Sequence, residues 1–199
     1  MKKLFLLIVS ITFFFNSAYA VSYNSDPKIF VTELVGDAIK TLSDKSISQE
    51  DKEIIIEKIA LENVDINALG MYTLGDLRKT LAPDKLKKYN ELFEKYFLKS
   101  LTSRLQDYSS NKFEVSDAEQ KSNTYTIVKS KILPGNSQPE IKIDWRVYTK
   151  NPMKPLIRDL IVEGLSLART QKEEFASILN SNNNEIEALF SKLEEFISK

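Results

Sequence analysis

Apolar positions recur every three or four residues through the first half of this chain and every second residue through much of the second. Phe30, Val31, Leu34, Val35, Ala38, Ile39 and Leu42 follow helical spacing behind Asp26-Pro27, which reads as an N-cap and first helical residue. Ser48 with Asp51 opens a second helix as a capping box, with Ile54, Ile55, Ile56, Ile59 and Leu61 inside it. Asp65 caps a third helix running through Ile66, Leu69, Met71, Tyr72, Leu74 and Leu77. Its glycines at 70 and 75 predict a break, a close approach by another backbone, or a ligand against it. The longest helix is predicted from about Pro83 to Tyr108, with Leu86, Tyr89, Phe93, Tyr96 or Phe97, Leu101, Leu105 and Tyr108 as its stripe.

Ser109-Ser110-Asn111 reads as a turn, and the period then falls to two. Strands are predicted from Phe113, over Asn123 to Leu133, over Glu140 to Thr149, and over Asp159 to Leu167. In the third, Ile141, Ile143, Trp145 and Val147 share one face and Lys142, Asp144, Arg146 and Tyr148 the other. Pro134-Gly135-Asn136 is a hairpin turn between the second and third. The fourth, Asp159-Leu-Ile-Val-Glu-Gly-Leu-Ser-Leu167, is apolar on both faces, so layers are expected on each side of it. Its Asp159 and Glu163 need pairing or water. Two helices close the chain, one to Asn180 and one carrying Ile186, Leu189, Phe190, Leu193, Phe196 and Ile197. The predicted class is α+β: a curved four-stranded antiparallel sheet packed by N- and C-terminal helices, with an apolar cavity between the layers.

Composition narrows the chemistry. Residues 1–20 read as a signal peptide: Lys2 and Lys3, an apolar core from Leu4 to Phe15, and Ala18-Tyr19-Ala20 as cleavage site. Cleavage after Ala20 leaves a single domain over 21–199, expected in a periplasm. Without Lys2 and Lys3, 26 basic residues face 28 acidic ones, so nucleic acid is not an expected partner. Cys and His are both absent, which excludes thiol nucleophiles, Ser–His pairs and ordinary zinc sites. No metal or cofactor is expected. Asp159 and Glu163, about 13 Å apart along a strand, are too distant to share a proton. No enzyme is therefore expected. The predicted cavity is lined by Trp145, Val147, Ile127, Ile161, Phe93, Phe97 and Leu77, with Arg78, Tyr72, Asp159 and Glu163 as its few polar groups. That lining suits a ligand with a large apolar body and one polar or anionic head.

Several stretches resemble one family. Leu74-Gly75-x-x-Arg78 behind Asp65 is similar to the "LG-x-x-W-R" region of MlaC-type phospholipid-binding proteins, the maintenance-of-lipid-asymmetry or toluene-tolerance auxiliary family. Phe93, Phe97, Leu101 and a later Tyr108 match its F-x3-F-x3-L spacing. Asp159 to Leu167 resembles its "DV-x-VEGVSLV", and Phe175 the Phe of "YR-x-QF". Pro155 replaces the Trp of "GWKV-x-D", Leu77 an aromatic residue, and Gln171-Lys172-Glu173-Glu174 the "YR-x-Q", which marks a diverged member. The resemblance implies a monomeric periplasmic carrier of phospholipid. It also implies two docking partners, the lipid-binding subunit of an inner-membrane ABC transporter and an outer-membrane lipoprotein complex. The expected cargo contacts are Tyr72, Leu74, Leu77, Arg78, Phe93, Phe97 and Leu101 from the helices, with Ile127, Ile143, Trp145, Val147 and Ile161 from the sheet. Arg78 is expected at the mouth, or else in an ion pair with Asp159 or Glu163. The competing reading is an envelope interaction module or chaperone whose apolar sheet face is a sealed core.

Overall fold

The computed structural model describes residues 22–105, 112–134 and 139–199. The predicted signal peptide, Tyr108, the 109–111 turn, and Gly135 and Asn136 of the hairpin turn lie outside the described residues.

The capping chemistry places the helices. In α1 (Pro27–Ser43) the Asp26 carboxylate accepts the amide N–H groups of Lys28 and Ile29. In α2 (Gln49–Asn63) Ser48 Oγ accepts from Asp51 N and donates to Asp51 Oδ2 at 2.7 Å, a reciprocal cap. Asp65 accepts from Ala68 N at the start of α3 (Ile66–Thr73). The third predicted helix is shorter than expected: Gly75 adopts φ 59°, and a 3-10 turn from Gly75 to Lys79 follows. Gly70 has a different reason. A Cβ there would lie 2.8 Å from Phe93 Cδ1, so α3 rests directly on the ring of a residue in α4 (Pro83–Leu105). Gly70→Ala gains roughly 1 kcal/mol of helix propensity but overpacks a ring held in the core, at a cost of about 1–3 kcal/mol. A net loss of stability is expected in urea titration, and a variant more stable than wild type would refute the close approach.

Five antiparallel strands follow in the order β1-β2-β3-β4-β5: Phe113–Ser122, Tyr125–Ile132, Ile141–Tyr148, Leu156–Val162 and Leu165–Ser166. The fourth predicted strand is thus two. Glu163 (φ 49°) and Gly164 (φ 82°) turn the chain back on itself, Val162 pairs with Leu165, and α5 (Leu167–Asn180) starts at once. Ser166 Oγ caps α5, accepting from Arg169 N at 3.1 Å. The last helix, α6, runs Ile186–Ser198. Among the described residues no helix is long and apolar enough to cross a membrane.

The apolar side chains form two clusters. One is helical, built on Leu69, Leu74, Tyr89 and Phe93 with Phe175, Leu179, Leu189, Phe190 and Leu193 of α5 and α6. The other lies between α1 and one sheet face: Phe30, Val31 and Leu34 against Val128, Trp145, Val147 and Ile157. Among the described apolar residues, Val64 alone packs against both. Val64 also bridges Ile157 in parallel, so the α2–α3 link closes part of the β4 edge.

Polar groups inside the sheet cluster are satisfied in series. The Trp145 indole N–H donates to Ser130 Oγ at 2.8 Å, and that hydroxyl donates to the Ile143 carbonyl at 2.9 Å. Ser130→Ala would leave a buried indole N–H without an acceptor, at about 1–3 kcal/mol. Trp145 is the only tryptophan. Its emission in urea titration reports that loss directly, and an unchanged midpoint would count against the relay.

Candidate cargo-binding site

The structure distributes the twelve expected cargo residues over four places. Leu74 and Phe93 are buried in the helical cluster, and Leu77, Phe97 and Leu101 pack against it half-buried. Phe93 is the hub. Its ring lies 5.8 Å from Tyr89 and 6.4 Å from Phe97, and meets Phe175 edge-on at 6.3 Å. Tyr89 is fully buried, and its hydroxyl lies 2.7 Å from Thr73 Oγ1. Trp145, Val147 and the half-buried Ile143 belong to the sheet cluster beneath α1.

Ile127 and Ile161 lie on the opposite sheet face. Ile127 pairs with Arg146 and Ile161 with Asp144, whereas Val128 and Leu160 are the partners of Trp145. They floor an open cavity of about 650 Å³ whose walls are Glu119, Lys121, Lys129, Asp144 and Arg146. That face is charged: Lys129 reaches Asp117 and Glu119, and Lys131 reaches Glu114 and Glu140. The apolar cavity expected between sheet and helices is not seen among the described residues. Packed side chains fill both clusters.

Tyr72 and Arg78 form the fourth place, where α3 and its 3-10 turn meet α5. Tyr72 is 43% exposed, and Lys172 Nζ sits 5.1 Å over its ring. Arg78 does not pair with Asp159 or Glu163: its guanidinium donates to the Gly75 carbonyl. Both carboxylates are engaged elsewhere. Glu163 accepts from Lys142 N. Asp159, 3% exposed, accepts from Ser166 Oγ at 2.7 Å and Ala168 N at 3.0 Å, with Arg146 Nη1 3.5 Å away. The sequence reading left pairing or water open for Asp159, and the structure gives pairing.

Two features escaped the sequence reading. Arg158 joins the sheet to α3: its guanidinium bonds Asp65 Oδ2 at 2.6 and 2.8 Å and Tyr125 Oη at 3.1 Å, and stacks 3.4 Å over the Tyr148 ring. Only Asp65 was singled out, as a cap. The second is the partner of the sheet face. Phe30, Val31 and Leu34 were visible at helical spacing, but nothing local says which layer they meet.

A family model described as "MlaC protein" matches residues 32–195. No curated protein sequence matches the chain significantly. Among solved structures, a phospholipid-binding protein from Ralstonia solanacearum, determined in complex with a phospholipid, superposes with a TM-score of 0.71 at 18% identity. The match covers 84% of this chain and 94% of that one, which makes the α+β architecture a shared fold. With a family model spanning α1 to α6, the chain belongs to the MlaC family.

Proposed function

We propose that the protein is a periplasmic phospholipid carrier that shuttles lipid between outer and inner membranes, with the acyl tails held between its two apolar layers. Such a carrier would exchange cargo with the lipid-binding subunit of an inner-membrane ABC transporter and with an outer-membrane lipoprotein complex. The observation that carries the reading is the division of the core. A helical cluster and a sheet cluster, each closed on itself, share contact through Val64. Parting two such layers exposes apolar walls on both sides, so a tail can replace the lost packing. The Ralstonia protein of the same fold, solved with a phospholipid, supports it.

The energetics set the requirement. Two tails of about 15 carbons cost on the order of 20 kcal/mol to expose to water, at roughly 0.8 kcal/mol per CH₂. A carrier needs walls about as apolar as the bilayer so that transfer in either direction is nearly balanced. Phe93, Phe97, Leu101, Leu74 and Leu77 on one side and Ile143, Trp145 and Val147 on the other supply such walls. Tyr72 and Arg78, at the surface beside Lys172, suit a hydrated anionic head. Ile127 and Ile161, across the sheet among charges, fit a tail site poorly in this arrangement.

Native mass spectrometry of protein purified without detergent tests the reading. The expected result is a mass increment matching a phospholipid, confirmed by extraction. Lipid-free protein that also fails to take phospholipid from vesicles would favour the interaction-module reading.

A further inference from the structure

The α2 helix is apolar on both sides. Ile56, Ala60 and Asn63 are buried inward, while Ile54 (57% exposed) and Leu61 (48% exposed) face out. Seven residues apart, these two share one stripe. On an otherwise charged outer face, two large exposed aliphatic side chains make an apolar patch that a partner can cover.

Beside that stripe a cleft of about 330 Å³ opens between α1 and α2. Ile47, Ile55 and Ile59 give it an apolar lining, and Asp37, Asp44 and Glu62 supply carboxylates. Lys40 and Lys58 also reach it. Lys58 lies on α2 between Ile54 and Leu61, so stripe and cleft are contiguous. The Tyr23 hydroxyl is buried at the cleft with no hydrogen-bond partner of normal geometry. Burial first, then the charge of Asp37 and a long hydrogen-bonding approach to its carboxylate, then the charges of Glu62 and Glu33, hold the phenol protonated well above its ordinary range. Those same charges favour an incoming cation, and the phenol oxygen can accept an N–H from it. Along α2, Glu50, Asp51, Glu53, Glu57 and Glu62 outnumber Lys52 and Lys58, and Lys52 Nζ is bound to the Leu42 carbonyl at 2.8 Å.

We infer that the α1–α2 cleft and the Ile54–Leu61 stripe form a docking surface for a partner protein presenting a Lys or Arg side chain beside apolar residues. The cation enters the cleft between Asp37 and Glu62, and the apolar residues cover Ile54 and Leu61. The acidic rim disfavours an anionic membrane surface, which would be repelled. It equally disfavours a second copy of this chain, because a two-fold contact sets acid against acid. The cleft is too small and too polar for a phospholipid tail pair, so this surface is separate from the proposed cargo site.

The test places a photo-crosslinking amino acid at 54 or at 61 in the full chain, in cells that express it. The captured protein is identified and its purified soluble region titrated against wild type, Ile54→Ser and the double variant Asp37→Asn, Glu62→Gln. Ile54 and Leu61 are exposed and Asp37 and Glu62 half-buried at the cleft, and circular dichroism with co-purified lipid content checks that fold and cargo are retained. The expected result is a crosslinked peptide carrying Lys or Arg next to apolar residues. Affinity should fall at least tenfold in each variant, and the wild-type affinity should weaken with added salt. Crosslinks confined to lipid or to a second copy, no crosslink at either position, or affinity unchanged in the variants would overturn the assignment. Loss of lipid with docking retained would count against the carrier reading alone.

Discussion

Replacing Asp159 with alanine is expected to lower the unfolding free energy by about 3 kcal/mol, one of the largest losses available to a single polar residue here. The carboxylate sits 1% exposed on β4 and ties β3, β5 and α5 to that strand. Its Oδ2 takes the Ser166 hydroxyl of β5 and its Oδ1 takes the amide of Ala168 in the first turn of α5. Arg146 on β3 stands 3.5 Å away with 45% of its side chain exposed, so screening leaves that pair a minor contributor. The two short charge-assisted bonds matter more, at roughly 1.5–3 kcal/mol each before the cavity relaxes. Together they make Asp159 a remote cap for α5, where a negative charge also meets the positive end of the helix. Truncation leaves the buried Ala168 N–H and the Ser166 hydroxyl proton without their acceptor. Asp159→Asn keeps the shape and one acceptor oxygen, so it should lose about half as much. Urea unfolding followed by Trp145 emission and by helical ellipticity measures both. An Asp159→Ala variant within about 0.5 kcal/mol of wild type would show that the three-element junction does not depend on this residue.

Asp159 also shows how far the sequence carried. Helix starts were legible because caps are local chemistry: Asp26, Ser48 and Asp65 each hold the amides their spacing suggests. Strand faces within β3 were legible because alternation is local too. The run from Asp159 to Leu167 was misread as one strand because its composition is β-like throughout. The turn inside it rests on two backbone angles, 49° at Glu163 and 82° at Gly164. Only the glycine gave a signal. Glu163 accepts a left-handed conformation because the hairpin and its bond from Lys142 N hold it there.

The candidate site was legible only in parts, and register explains the gap. Alternation says that Ile127 and Val128 point opposite ways. It does not say which of them faces the same side as Trp145. The β2–β3 pairing puts Val128 across from Trp145, and a slip of one residue would have exchanged the two faces. Ile161 has a second cause. The bulge where Arg146 and Val147 oppose Asp159 and Ile157 breaks the alternation of β4. Ile157 thereby joins the buried cluster while Ile161 floors the charged face. On the helical side, Leu74, Leu77, Phe97 and Leu101 follow the 3.6-residue period and pack with Phe93 in one core cluster. Its relation to the sheet is a long-range fact, set by the α2–α3 link at Val64 and by the Arg158–Asp65 pair.

Two glutamate substitutions on one strand face should separate folding from cargo. Val147 is 0% exposed and packs in the sheet cluster with Phe30, Val31 and Ile157. Were Val147 in the lining of an apolar cavity, as its place on the β3 face suggested, a glutamate there would empty the pocket. In the packed arrangement under α1 it should instead disrupt the fold. A carboxylate held there must either stay ionised without a partner or take up a proton, a shift of up to 3–5 pKa units. At 1.36 kcal/mol per unit that is about 4–7 kcal/mol, against a typical total stability of 5–15 kcal/mol. Ile143 shares the face of Val147 but is half-buried at the margin of the cluster. A glutamate there can turn its carboxylate to water, so Ile143→Glu should remain folded, with a midpoint within about 2 kcal/mol of wild type. If acyl tails enter between the layers, that margin becomes part of their wall, and a charge facing a tail costs several kcal/mol. Ile143→Glu is therefore expected to purify folded with at least tenfold less phospholipid per protein, by extraction and mass spectrometry. A folded Ile143→Glu protein with the wild-type lipid content would remove the sheet cluster from the cargo wall and leave the helical cluster around Phe93 as the place to look.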